Sequence, residues 1–244
     1  MRHTFSLLLC LVAVSCYGQI TDPKATEYYE PVPPKVKPGN QLGDPPADAI
    51  VLLGEGADAS EWVSANGGGP AEWTKEGNTL VVNPGSGDIA TRRKFGDMQL
   101  HVEWKSPAEP DKEGQQRGNS GIFLQNRYEI QVLESEGSDT YTNGQAGSVY
   151  KQTPPLVNAL KPQGEWQSYD IIYNAPHFND DGMLIRPAYV TLLMNGVVVL
   201  NHFEVKGPTE YIGLPHYVAH GDDVIKLQDH SNKVAYRNIW VREL

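Results

Sequence analysis

The stretch that most constrains this chain is residues 119–134, NSGIFLQNRYEIQVLE. Ile122 and Leu124, then Tyr128, Ile130 and Val132, recur at every second position, the period of strands rather than helices. Glu129 and Gln131 alternate with them, so the second strand carries one apolar face and one hydrogen-bonding face. Glu134 breaks the pattern. Counting by twos turns it toward the core with Tyr128, Ile130 and Val132, where an unpaired carboxylate is costly. Either the strand ends before it, or a bulge returns it to the polar face.

Similar short segments follow one another along the chain. Residues 50–53 read as a buried strand, and 98–104 alternate Met98, Leu100, Val102 and Trp104 with polar neighbours. Residues 73–82 form a hairpin turning at Glu76-Gly77-Asn78, and 166–173 a further strand. Asn195-Gly196 between 189–194 and 197–202 is the strongest hairpin signal, since both residues accept the positive φ angles of a type I′ turn. Residues 224–229 and 234–241 read as a last strand pair around His230-Ser231-Asn232. No amphipathic helix of ten or more residues is evident. Short strands with turn signals and no helices specify an all-β fold, an antiparallel β-sandwich or barrel.

The ends differ in character. Arg2 and His3 precede an apolar run at 5–14, which is too short to span a bilayer and has the layout of a secretory signal peptide over residues 1–18. Cleavage follows Gly18, or precedes Cys16 and leaves a lipid anchor there, since 13–16 resemble a bacterial lipobox with Ala13 in place of the usual Leu. The expected location is therefore the periplasm or the cell surface. Cys10 and Cys16 are the only cysteines, so the folded domain contains no disulfide and relies on its core. Residues 19–47 hold seven of the eighteen prolines and read as a tether, or a strap laid over a domain at 48–244. The net charge of −10 argues against nucleic acid as a partner, and no stretch approaches the ~18 apolar residues of a membrane span.

Polar side chains stand on strand faces at four places: His101 with Glu103, Glu129 with Gln131, Gln228 near His230, and Arg237. Each alone is the ordinary wet face of a half-exposed sheet. Their chemical types, carboxylates with Gln, His and Arg, suit sugar hydroxyls and acid–base work. A bulge after Gln131 would aim Glu129 and Glu134 into one groove, as retaining glycosidases aim their two carboxyls. The spacing resembles the E-x-D-x-x-E strand of retaining β-glucanases with a concanavalin-like jelly roll, but Gln131 stands where that family has Asp. His216, His220, Asp222 and Asp223 read as a solvated loop, because Pro215 and Gly221 disfavour helical display of metal ligands. No metal and no cofactor is expected.

A wider resemblance joins these pieces. The stretch 119–135, AGSVY at 146–150, EWQSYDI at 165–171, VTLLMNGVVV at 190–199 and IKLQDHSNKVAYRNIWVREL at 225–244 resemble the successive signatures of the 3-keto-disaccharide hydrolase domain family. Ser231 departs from that family's usual Gly. The resemblance implies a concanavalin A-like jelly roll acting on 3-keto-glycosides. At matching positions it points to Glu103, Asn119, Glu129, Gln131, Glu134, Tyr150, Gln228, His230 and Arg237.

A ketone at C3 acidifies the C2 proton, so a base can remove it while the C1 oxygen leaves by β-elimination. On this reading Glu129 or Glu134 serves as base or acid, with His230 as its counterpart, and Glu103, Asn119, Gln131, Tyr150, Gln228 and Arg237 hold the saccharide. Two rivals remain. A non-catalytic carbohydrate-binding module would offer exposed aromatics, for which Trp62, Trp73 and Tyr150 are candidates, and a β-glucanase would cleave substrates without a keto group.

Overall fold

The alternating segments become two facing antiparallel sheets in the computed structural model, which describes residues 20–57, 59–109 and 111–244. The leader expected at 1–18, with Cys10 and Cys16, lies outside the described residues. The chain divides into two units, Met1–Lys35 and Val36–Leu244. In the first, a 3₁₀ turn at Pro23–Thr26 is capped by Asp22, whose side chain accepts the Lys24 N–H.

In the second unit, the larger sheet runs in the order β13 (Val197–Glu204), β12 (Tyr189–Met194), β9 (Gln167–Asn174), β6 (Met98–Lys105), β15 (Ala235–Glu243), β4 (Thr79–Val81) and β3 (Thr74–Glu76). Strand β1 (Ile50–Leu53) also pairs with β15. The smaller sheet runs β2 (Trp62–Ser64), β5 (Ile89–Phe95), β14 (Asp223–Leu227), β7 (Ser120–Leu124) and β8 (Tyr128–Val132). A separate hairpin joins β10 (His177–Phe178) to β11 (Leu184–Arg186). This is an antiparallel β-sandwich of the jelly-roll kind.

Period two decides which side chains meet between the sheets. Met98, Leu100, Val102 and Trp104 of β6 are fully buried and face Tyr128, Ile130 and Val132 of β8 across one core. Hydroxyls tie the layers together: Tyr236 donates to Ser120 Oγ (2.7 Å) and Tyr169 to the Gln131 carbonyl (2.9 Å). Trp62 and Trp73 belong to this core, 2% and 5% exposed, and their indole N–H groups donate to the carbonyls of Leu52 and Gly87. Neither is a sugar platform.

The turns form where the sequence marks them. Gly77 has φ 61°, and Asn195 and Gly196 have φ 52° and 81°. The β7–β8 turn uses Gln125 and Asn126, also at positive φ. Gln125 is held there by donating to the Phe95 carbonyl and accepting from the Tyr173 hydroxyl.

One expected pairing is corrected. β14 and β15 do not pair with each other, because residues 228–234 carry the chain from one sheet to the other. β14 lies between β5 and β7, and β15 finds a longer partner in β6. Strand β5 has no counterpart in the sequence reading. Its inner positions are broken by a consecutive polar run, Thr91 to Lys94.

Candidate active site

Glu129 and Gln131 project from the outward face of the smaller sheet, as their alternation with Ile130 requires. That face is not open to solvent. Residues from 115–119, 141–150 and 209–211 rise around it and enclose a groove of about 580 Å³, with Gln228 and His230 completing its lining. Strands β7 and β8 therefore supply the floor, and loops supply the walls.

Local pairing explains how a carboxyl fits on the floor. On β7, Gly121 stands opposite Gln131 and Phe123 opposite Glu129. A methyl group at position 121 would lie 2.5 Å from Glu129 Oε1, so only glycine leaves space for the carboxyl to fold across the sheet. Glu129 is 5% exposed, and its pKa is raised to about 8. Burial is the main cause; Lys226 opposes it and Asp88 adds to it. Lys226 does not offset burial; its ammonium lies 3.1 Å from Asp88 and 4.0 Å above the Phe123 ring. Among the described residues no donor is hydrogen-bonded to the Glu129 carboxyl, which carries its proton at neutral pH.

Around it the groove is rich in amides and hydroxyls. Gln131 donates to Gln115 Oε1 and Asn119 Oδ1. The Tyr150 hydroxyl lies 2.6 Å from that of Tyr141, and burial together with this contact keeps it protonated. Lys151, at φ 59°, places its ammonium 4.2 Å over the Tyr211 ring. The crossing segment is fixed by Asp229, which accepts from Gly85 N and Gly87 N with one oxygen and from Ser231 N with the other. Ser231 sits at φ 62°, the conformation that makes glycine the usual residue there.

Six of the nine expected residues thus converge: Asn119, Glu129, Gln131, Tyr150, Gln228 and His230. Three do not. Strand β8 ends at Val132, and Glu134 follows it without a return to the groove face. Its N–H donates to the Arg117 carbonyl and its carboxyl accepts from Glu136 N. The two-carboxylate arrangement is therefore not formed.

Glu103 and Arg237 are the other corrections. They lie on neighbouring strands of the larger sheet and point away from the core, on the opposite side of the sandwich. Arg237 Nε donates to Glu103 at 2.6 Å and its guanidinium stacks 4.1 Å from the Trp166 ring. Alternation distinguishes inside from outside but not one sheet from the other, so it does not separate these two from the groove residues to which the resemblance joins them. In the loop at 216–223, His220 contacts the Tyr128 hydroxyl and Asp223 pairs with Arg127, so these groups are engaged within the protein.

Sequence reasoning missed Gln115, Gln116, Phe123, Tyr141, Thr209 and Tyr211. Phe123 was reachable by counting from Ile122. The others sit in loops, where no period reveals orientation. For 209, the signal is a contact invisible in sequence: Thr209 Oγ1 accepts the Glu129 N–H.

The jelly roll is a fold of the glycosyl hydrolase-like class. The chain belongs to the 3-keto-alpha-glucoside-1,2-lyase-like domain family, whose profile matches residues 48–242. It is 26% identical to a 3-keto-disaccharide hydrolase of Bacteroides thetaiotaomicron over 243 residues, covering 81% of this chain and 79% of that protein. A crystal structure of a candidate glycosyl hydrolase from Parabacteroides distasonis is 49% identical, with a TM-score of 0.86, covering 91% of this chain and 97% of that one. A second P. distasonis structure, 21% identical with a TM-score of 0.58 over 80% and 94% of the chains, shares the fold.

Proposed function

We propose that the groove cleaves the glycosidic bond of 3-keto-glycosides by acid–base-assisted elimination followed by addition of water. The observation that carries this is the Glu129 carboxyl, buried among amides and hydroxyls with a pKa of about 8. A carboxylic acid holding its proton at neutral pH is suited to donate it to a departing oxygen.

In this scheme His230, exposed at the groove's rim, accepts the proton from C2 of the sugar. The C2–H electrons form a C1=C2 double bond through the enolate of the 3-ketone, the C1–O bond breaks, and Glu129 protonates the leaving oxygen. Water then adds across the enone, putting OH on C1 and H on C2, for net hydrolysis. Asn119, Gln131, Gln228 and Tyr150 hold the sugar. One carboxyl suffices, because no covalent glycosyl intermediate forms. Export is part of the same proposal and rests on the apolar run at 5–14; fractionation of expressing cells, with labelling at Cys16, tests it.

Incubation with a glucoside and its 3-keto form separates the readings. Cleavage of the keto form alone supports elimination, cleavage of both supports a conventional hydrolase, and binding without cleavage supports a carbohydrate-binding module. Glu129→Gln is expected to lower kcat about 10²–10⁴-fold. In the wild type, kcat/KM should decline as pH rises above about 8, when Glu129 loses its proton. A variant with full turnover, or a profile that rises through pH 8, would exclude Glu129 as the acid.

A further inference from the structure

The groove also fixes which kind of group the sugar must present at one point. Gln131 Nε2 donates to Gln115 Oε1 (3.2 Å) and Asn119 Oδ1 (3.3 Å), so both amide hydrogens are engaged. Each of those carbonyl oxygens is oriented by the protein backbone. Gln115 Nε2 donates to the Gly144 main-chain oxygen (2.9 Å), and Asn119 Nδ2 to the Gln115 main-chain oxygen (2.8 Å). A main-chain carbonyl can only accept, so turning either amide over would set oxygen against oxygen. Gly144 is itself restrained by a turn in which its N–H donates to the Tyr141 carbonyl (3.0 Å).

The consequence reaches Gln131. Its Oε1 is buried and has no donor, on a residue 1% exposed that lines the groove. Native structures rarely leave such an acceptor unpaired, so it calls for a donor that the protein itself does not supply.

We propose that Gln131 Oε1 is an acceptor-only contact that reads one hydroxyl of the bound sugar, with Gln115 as the positioning residue that holds the amide in that orientation. The inference rests on the groove being a 3-keto-glycoside site, and it sets the register of the sugar there. A ketone has no hydrogen to donate, so C3 does not meet Gln131, and a neighbouring hydroxyl meets the amide.

The test compares kcat/KM for a 3-keto-glucoside and its 2-, 4- and 6-deoxy analogues. One analogue is expected to fall about 10–100-fold below the parent in the wild type. Gln131→Met should erase that difference, bringing the parent to within about twofold of the analogue in the same variant. Gln115→Met should narrow the same ratio by freeing the amide to turn, an effect that a general loss of stability would not produce. Three analogues all within twofold of the parent, or a penalty that persists in Gln131→Met, would overturn the inference. Failure to cleave the parent 3-keto-glucoside is a separate result and removes the functional reading itself.

Discussion

Glu129 shows what a functional carboxyl costs the fold. Its pKa is raised to about 8 from the usual 4.5, so between those values the folded chain holds a proton that the unfolded chain has released. Folding stability therefore falls as pH rises through that window and levels off above it. Glu129→Gln removes the ionisation. Its stability relative to wild type should increase from pH 5 to pH 9, by an amount on the order of a few kcal/mol, in urea titrations at the two pH values. A constant difference would mean that the carboxyl is not desolvated. Glu129 and Gln131 were legible in the sequence because period two leaves them nowhere to point but outward. Gln115 and Tyr141 were not, since their positions follow from loop closure over that face rather than from local pattern.

At the scale of elements, the segment 228–234 does more than connect two sheets. It carries Gln228 and His230 to the groove, and Ser120 Oγ and the Gly121 carbonyl bond to the Gln228 backbone, aligning it with β7. Asp229 clamps it with three backbone N–H groups. Asp229→Ala should lower stability by about 1–3 kcal/mol and reduce kcat/KM more than it alters the unfolding transition would suggest, because two groove residues lose their support. Thermal denaturation and kinetics on one preparation check both. Strands 224–229 and 234–241 were readable as strands, yet not as members of different sheets. Pairing partners lie far apart in sequence, and a turn-like stretch serves a hairpin and a crossover equally well. The end of β8 at Val132 was likewise one of two alternatives that alternation alone could not separate.

The whole molecule keeps its two outward faces chemically distinct. Opposite the groove, residues 36–47 cross the larger sheet, where the Gly43 carbonyl accepts from Trp240 Nε1 and Asn238 Nδ2. Beneath them His101 bonds to Asp170 at 2.7 Å and lies 3.7 Å from Glu103. Burial opposes charge on both His101 and Glu103. The partners prevail, holding Glu103 down at about 2, through His101, Asn238 and Arg237, and His101 up at about 9, through Asp170 and Glu103. Their stabilisation is therefore complete between about pH 4.5 and 6.5, fading in acid as Glu103 protonates and in alkali as His101 deprotonates. Glu103→Gln should cost about 1–3 kcal/mol at pH 6 while kcat/KM stays within about threefold of wild type, and Arg237→Met should behave likewise. A hundredfold kinetic loss in a folded variant would restore these residues to the catalytic side. Because Cys10 and Cys16 are the only cysteines, a single thiol introduced on the larger sheet's outward face would be unique in residues 36–244. It would give a handle for coupling the protein to a solid support in one orientation, with the groove turned toward the solution.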